Sequence, residues 1–236
     1  MQSKSLQLDD YAHIKSGLRS IYYTIPMCRG KGVYIYIPHE HRVWEYASGV
    51  QAFVEHYGND GKQRKVLDVG CGFSPLAPAL VMKHGCIATE IDPDEKVTHG
   101  RDALLDVFAG GGSYMFKQQA LEDAQGEYDA VFCISVMEHI PTDKQHDAWA
   151  KLASLVKPGG LLFTTFDYSD DPSKAWQNDD GRETKYHAER VDDVVAQLED
   201  AQFDFESVDT TYHGPQVYDY TFFRLTCIKR YDDDYR

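Results

Sequence analysis

The segment 66–76 joins a short apolar strand to a helix start through a glycine turn. Gly70 and Gly72 lack a Cβ, so the backbone there can approach a ligand closely and can adopt a positive φ. Ser74 is a residue type that caps helix N-termini. Pro75 suits the first helical position, because a backbone N–H there would have no hydrogen-bond acceptor within the helix. The order of strand, glycine turn and helix predicts a turn that binds a nucleotide-like cofactor.

An acidic residue follows this turn at a distance that is typical of ribose binding. Asp92 lies 22 residues after Gly70 and ends the segment 87–92. A carboxylate at the end of the second strand can accept hydrogen bonds from both hydroxyls of an adenosine ribose. Glu90 lies on the same strand face two residues earlier and is the alternative acid.

The helix start disfavours a dinucleotide cofactor. In dinucleotide-binding turns a third glycine packs the helix against the strand near the pyrophosphate. Pro75 occupies that position here, and it also removes an N–H group that phosphates would use. An NAD-dependent enzyme is therefore only an alternative hypothesis for this chain.

Three stretches together resemble the motifs of the class I S-adenosylmethionine-dependent methyltransferases. They are Asp68-Val69-Gly70-Cys71-Gly72, the segment from Tyr128 to Ile140, and the segment from Val156 to Phe163. Their order and wording are especially similar to the small-molecule O-methyltransferases of ubiquinone biosynthesis, and the resemblance covers residues 64 to 168. The chain departs from the family at Ser74, where many members have glycine, and at Gln119, where many have aspartate.

The resemblance implies S-adenosylmethionine as the cofactor, bound by the glycine turn and the residues around it: Asp68, Gly70, Cys71, Gly72 and Ser74. It implies that adenine lies beside Gln119, Ala120 and Leu121, since the amide of residue 119 can accept the same hydrogen bond as an aspartate. Ser135, immediately after the fourth strand, is expected on the sulfonium side. Because an unpaired carboxylate is costly to bury in an apolar strand, we expect Asp68 to bond the turn amides or the cofactor amine.

His139 is the candidate catalytic base. Methyl transfer from a sulfonium depends mainly on positioning, but an oxygen nucleophile must still lose a proton, and an imidazole titrates near neutral pH. The alternative is a histidine that packs against the cofactor or caps the next turn. Glu138 and His139 are also a pair that can bind a divalent metal. Ser135 stands where the similar enzymes tend to have another carboxylate, so we predict no metal.

Charge and composition exclude several classes of function. The chain has 236 residues, of which 38 are acidic and 24 basic, and its formal net charge is −14, so no basic surface for nucleic acid is evident. The five cysteines show no Cys-x-x-Cys spacing, and no apolar run approaches the roughly 20 residues of a membrane span. We expect a cytoplasmic enzyme that acts on oxygen or nitrogen of a small-molecule acceptor, without nucleic-acid or membrane partners. The acceptor and the oligomeric state stay open.

The hydrophobic pattern predicts one domain in which helices and strands alternate. The predicted helices cover 42–57, 75–84, 94–108, a segment after Pro141, and 188–199; the predicted strands cover 65–69, 86–91, 113–117, 128–134, 161–166, 203–210 and 219–229. We expect Thr142 to cap the fourth helix and Pro158-Gly159-Gly160 to end it. No helix fits between the last two strands, so they should pair antiparallel.

The resemblance implies an α/β fold of three layers, a doubly wound sheet with strand order 3-2-1-4-5-7-6 in which strand 7 is antiparallel. Residues 1–46 are predicted to form a lid over cofactor and acceptor, because they are rich in aromatic residues and supply no strand. Residues 47–236 would form the methyltransferase domain. Extra core packing is the alternative for residues 1–46, and a cofactor-binding module without catalysis is the alternative for the chain as a whole.

Overall fold

The computed structural model describes residues 14–30, 40–58, 60–108, 113–169, 171, 186, 188–209 and 221–231. The helices are α1 (Lys15–Gly30), α2 (Glu40–Tyr57), α3 (Leu76–His84), α4 (Glu95–Phe108), α5 (Thr142–Leu155) and α6 (Ala188–Asp200). The strands are β1 (Lys65–Val69), β2 (Ile87–Asp92), β3 (Tyr114–Gln118), β4 (Tyr128–Ile134), β5 (Val156–Tyr168), β6 (Phe203–Asp209) and β7 (Thr221–Lys229). Short 3₁₀ turns at Leu121–Asp123 and Met137–His139 follow β3 and β4.

These seven strands form one sheet in the order β3-β2-β1-β4-β5-β7-β6. The first five strands of the chain pair in parallel, whereas β7 runs antiparallel to both β5 and β6. The predicted fold class and strand order are therefore confirmed. The direction of winding reverses between β1 and β4, and open α/β sheets bind ligands at the carboxyl ends of the strands beside such a reversal.

Each face of the sheet is covered by helices. In β4, Ala130 and Phe132 belong to the buried cluster shared with α2 and α3, whereas Val131 and Cys133 belong to the cluster shared with α5 and α6. This alternation follows from the two-residue period of a strand. Because both faces are buried, the strand is apolar at consecutive positions, as is typical of parallel sheets.

Helix α2 is buried on two sides. A Cβ at Gly49 would lie 3.3 Å from the Phe163 ring, so α2 packs closely against β5. On the opposite side, Gly17 of α1 touches the backbone of Ala47 so closely that a Cβ there would overlap the carbonyl oxygen. α1 therefore forms an outer layer over α2, and its Leu18 is fully buried.

No helix was predicted before residue 42, but the structure has α1 there, although Pro26 lies inside it and proline normally weakens a helix interior. The predicted boundary between residues 46 and 47 falls within α2. The described part of residues 1–46 thus contains one core helix and the start of another. Closure of this segment over a ligand stays a prediction.

Two predictions about the ends of α5 are wrong. The helix starts at Thr142 itself, and Pro141, which has no polar side chain, holds the cap position. The Pro158-Gly159-Gly160 segment lies inside β5, which begins directly after the helix end. The pairing of β4 with β5 shifts register at this point, and Gly159 supplies the required positive φ of 73°. The glycines therefore serve a strand irregularity rather than a helix terminus.

The close contact of α1 with α2 predicts a large difference between two glycine substitutions in α1. Gly17→Ala should lower the free energy of unfolding by about 1–3 kcal/mol, because the new methyl group overlaps the Ala47 carbonyl. Gly30→Ala is the control, since no described atom lies within 4 Å of a Cβ there. Urea unfolding measures both variants, and equal stabilities would contradict the packing described.

Candidate functional site

The glycine turn after β1 is tied to the end of β2. The N–H groups of Gly70 and Cys71 donate to the Ile91 carbonyl, at 2.8 and 3.2 Å. Gly70 and Gly72 have φ angles of 62° and 48°, which favour glycine. A Cβ at residue 70 would overlap Val136 in the loop after β4, whereas no described atom lies within 4 Å of a Cβ at residue 72. The turn is thus packed on one side and open at Gly72.

Asp68 and Ser74 join the strand to the start of α3. The Ser74 hydroxyl donates to Asp68 Oδ2 at 3.1 Å and accepts from the Leu76 N–H at 3.2 Å. Pro75 rather than Ser74 holds the cap position, so the predicted cap lies one residue too early. The hydroxyl still satisfies an amide of the first turn. Burial and the nearby Glu90 raise the pKa of Asp68 well above its usual range, against the opposing effect of Arg101.

Asp92 meets the turn at its open position. Its carboxylate accepts from the N–H groups of Gly72 and Asp94, both at 2.9 Å. A carboxylate has about four acceptor positions, so two further hydrogen bonds can be accepted. The backbone carbonyl of Asp92 accepts from the Gln119 N–H at 3.1 Å. The predicted ribose and adenine segments are therefore adjacent at the ends of β2 and β3.

The remaining residues of the predicted adenine segment differ in exposure. Gln119 and Ala120 are half-buried at the surface of the sheet edge, whereas Leu121 is buried in the apolar cluster beneath. Cys71 is also buried, and burial raises the pKa of its thiol. Side-chain contact with a ligand thus fits Gln119 better than Leu121 or Cys71, which can offer backbone groups.

Glu90 lies in a different environment from Asp92. It is fully buried and contacts Arg101 Nε at 3.2 Å, and it also accepts a hydrogen bond from the Tyr114 hydroxyl. The two acids share one strand face, but only Asp92 bonds the open end of the turn. Burial raises the pKa of Glu90, and the guanidinium of Arg101 opposes this shift.

A buried polar cluster lies at the carboxyl ends of β4 and β5. Glu45 of α2 is fully buried and accepts hydrogen bonds from Ser135 Oγ at 2.7 Å and Thr165 Oγ1 at 2.5 Å. Arg42 forms an ion pair with the same carboxylate at 3.1 Å. Ser135 has a positive φ of 51°, which is uncommon outside glycine and marks a constrained loop start.

Glu138 and His139 are consecutive but have opposite environments. Glu138 is 1% exposed, and its Oε2 atom has no hydrogen-bond partner among the described residues. Burial and the neighbouring Asp167 raise the pKa of Glu138 well above its usual range, and Arg42 opposes this shift. His139 is exposed, and its backbone N–H donates to the Val136 carbonyl at 2.9 Å.

Sequence reasoning missed Arg42 and Glu45, which no motif marks. One signal was available, since Ser48, Gly49 and Ala52 form a second face of small residues on α2, and small residues allow close packing. A helix buried on two faces brings a charged residue such as Glu45 into the interior. Within the described residues, no group of three or more histidine, cysteine, aspartate or glutamate side chains is arranged to hold a metal ion.

A family model described as a methyltransferase domain matches residues 39–208. The chain belongs to this methyltransferase family. The match confirms the identification as a methyltransferase, and the order of the strands agrees with the class I fold that the resemblance implied. No helix in the described part of this methyltransferase is long and apolar enough to cross a membrane.

Relatives and solved structures extend the comparison. A ubiquinone biosynthesis O-methyltransferase of Thiobacillus denitrificans is 38% identical over 104 residues, which is 42% of this chain and 43% of the relative. This chain therefore matches less than half the length of the curated relatives. Magnesium protoporphyrin IX methyltransferase of Synechocystis, crystallised with SAM, is 22% identical with a TM-score of 0.55, covering 92% of this chain and 97% of that one.

The same fold also occurs in another kind of enzyme. The 4+2 cyclase SpnF has a TM-score of 0.62 and 15% identity, covering 93% of this chain and 96% of that one. At such identities the likeness shows the fold alone. The acceptor and the reaction therefore have to be argued from the residues of the site.

The raised pKa of Glu138 predicts a pH-dependent stability difference. The unfolded chain loses this proton above a pH of about 4.3, whereas the folded protein keeps it to a higher pH. The free energy of unfolding therefore falls as the pH rises through this window. Glutamine carries no ionisable proton, so the free energy of unfolding of the Glu138→Gln variant should not fall in this way. At neutral pH this variant should be more stable than the wild type, by about 1.4 kcal/mol for each tenfold difference between the proton affinities of Glu138 in the folded and the unfolded chain.

Urea unfolding near pH 4 and pH 7 measures this difference, which should shrink at the lower pH. Glu127→Gln is the control, because Glu127 is exposed. A Glu138→Gln variant that is less stable than the wild type at neutral pH would show that the carboxylate is ionised and stabilised by Arg42.

Proposed function

We propose that this protein transfers a methyl group from S-adenosylmethionine to an oxygen or nitrogen atom of a small molecule. The observation that carries this proposal is the open position at Gly72, whose N–H bonds the Asp92 carboxylate. A turn without side chains beside a carboxylate with spare acceptor positions fits an adenosine ribose. The family match and the neighbouring Gln119 support the same cofactor.

We assign the cofactor contacts as follows. Asp92 accepts hydrogen bonds from the ribose hydroxyls, and Gln119 with the backbone of Ala120 and Leu121 borders the adenine. Asp68 and the Gly70 carbonyl face the amine of the methionine end, and Ser135 lies towards the sulfonium. When bound, the cofactor supplies an activated methyl group with a neutral leaving group, so the residues of this chain mainly position the reactants.

The acceptor is expected at the ends of β4 and β5, beside the loop 135–139. His139 is the proposed base that removes a proton from an acceptor hydroxyl. Its exposed position is compatible with contact to a bound molecule. Glu138 is the competing group, because its buried Oε2 lacks a partner among the described residues and its pKa is raised well above the usual range of a carboxyl group.

A small-molecule acceptor agrees with the net charge of −14, which opposes binding of nucleic acid. The similarity to a ubiquinone biosynthesis O-methyltransferase favours oxygen as the acceptor atom. A cytoplasmic location stays a prediction. A second candidate is a module that binds S-adenosylmethionine without transferring its methyl group, since the same fold serves the cyclase SpnF.

The open position at Gly72 predicts the effect of adding one methyl group there. Gly72→Ala should weaken binding of S-adenosylhomocysteine at least tenfold, because the methyl group takes space assigned to the cofactor. Gly85→Ala is the matched control, since Gly85 has a similar φ of 66°, equally open surroundings and a place at the end of α3. Calorimetric titration measures both affinities. Equal losses in the two variants would contradict the assignment.

The role of His139 is tested by the rate of methyl transfer. The acceptor is first identified by mass spectrometry of a metabolite extract incubated with trideuteromethyl-labelled S-adenosylmethionine. His139→Ala should then lower kcat by about 10² or more, and His139→Gln should not restore it, because an amide cannot take the proton. Affinity for S-adenosylhomocysteine should stay unchanged.

Glu138→Gln provides the comparison for this experiment. If this variant loses activity and His139→Ala retains it, the base is Glu138. If labelled donor binds to the wild type but no methylated product forms with any extract, the second candidate is supported.

A further inference from the structure

A buried arginine lies directly beneath the glycine turn. Arg101, in the middle of α4, is 0% exposed. Its Nε donates to the Gly72 carbonyl at 3.0 Å, and its Nη2 donates to the carbonyls of Ser74 at 2.9 Å and Cys71 at 3.4 Å. One guanidinium group thus bonds three carbonyls of a turn that spans only a few residues.

The Cys71 carbonyl also accepts from the Ser74 N–H at 3.0 Å, so a donor from outside the turn matters most for the carbonyls of Gly72 and Ser74. The N–H groups of Gly70 and Cys71 are bonded to β2 and that of Gly72 to Asp92, so none of these three amides is available to the carbonyls of Gly72 and Ser74. The backbone of a helix such as α4 cannot supply donors, because its own N–H groups are bonded along the helix. A planar guanidinium carries five N–H donors in a fixed geometry, which suits several acceptors at once.

Two neighbouring residues hold Arg101 in this position. Glu90 Oε2 lies 3.2 Å from Arg101 Nε, and the Tyr114 hydroxyl donates to Glu90. Gly100 lets α4 approach the turn, because a Cβ there would overlap the Phe73 ring. The arginine is therefore supported by groups from β2, β3 and its own helix.

Stability alone does not account for this arrangement. Taking two charges out of water costs several kcal/mol for each ion, and apolar residues of similar volume are often at least as stabilising as a buried ion pair. Burial lowers the pKa of Arg101 and raises the pKa of Glu90. The charge of each residue opposes the shift that burial causes in the other. What an apolar pair cannot replace is the set of hydrogen bonds to the three turn carbonyls.

We propose that Arg101, oriented by Glu90, is a positioning residue that holds the glycine turn in its cofactor-binding shape. The proposal rests on the proposed function and extends it, since it gives Glu90 an indirect role in place of ribose contact. Displacement of the turn would move the Gly72 N–H away from Asp92 and would disturb the ribose site. Arg101 thereby affects cofactor affinity without touching the cofactor.

The test separates loop positioning from folding stability. In the double variant Glu90→Gln/Arg101→Met both charges are removed while the volumes are nearly kept, so no unpaired charge is buried, and the turn carbonyls lose their donor. Arg101→Lys keeps the charge opposite Glu90 but loses the planar fork. Arg64→Lys is the matched control, because it makes the same substitution at an arginine that pairs with Asp60 and does not contact the turn.

We expect both Arg101 variants to bind S-adenosylhomocysteine at least tenfold more weakly by calorimetry, and Arg64→Lys to bind within about threefold of the wild type. Without ligand, hydrogen exchange at the amides of residues 70–72 should be faster in the Arg101 variants alone. Wild-type affinity and exchange in a folded double variant or in Arg101→Lys would overturn the proposal. If only the double variant fails to fold, Arg101→Lys decides.

Failure of the proposed function gives a different result. A wild-type protein that does not bind S-adenosylhomocysteine would contradict the cofactor assignment itself, and the positioning role with it. A wild type that binds, together with Arg101 variants that bind equally well, would contradict the positioning role alone.

Discussion

The hydrogen bonds between the glycine turn and the end of β2 determine the geometry of the candidate site. Two turn amides donate to the carbonyl of Ile91, and the next donates to the side chain of Asp92. Because β1 and β2 are parallel, with Val69 opposite Ile91, both strands end at the same edge of the sheet. Parallel pairing thus brings Gly72 and Asp92 into contact although 20 positions separate them in the chain.

Buried charge surrounds this site on two sides. Beneath the turn, Arg101 is paired with Glu90, and beside the loop after β4, Arg42 is paired with Glu45. Arg101 donates hydrogen bonds to carbonyls of the turn, and Arg42 places a positive charge beside the Glu45 carboxylate. Glu138 is different, since burial raises its pKa and its Oε2 lacks a partner among the described residues. Such a group is more typical of a functional site than of a stabilising core.

Much of the fold could be predicted from the sequence, because strands, turns and amphipathic helices depend on residues close in the chain. The errors lie where tertiary packing overrides a local signal. No helix was predicted for residues 15–30, which form α1 against α2, and the glycines at 159 and 160 lie in a strand irregularity rather than at a helix end. Neither outcome can be derived from propensity, because each depends on a partner element distant in sequence.

The glycine turn and the presence of two acids on one face of β2 follow from the amino-acid sequence, whereas the order of the strands was implied by the resemblance to class I methyltransferases. The difference between those two acids follows from the packing of the folded chain. Glu90 and Asp92 have the same chemistry and lie two residues apart, but Glu90 contacts Arg101 of α4 and Tyr114 of β3, whereas Asp92 accepts from the turn. The physical reason is that the environment of a carboxylate depends on side chains brought to it by other elements, which a local pattern does not contain.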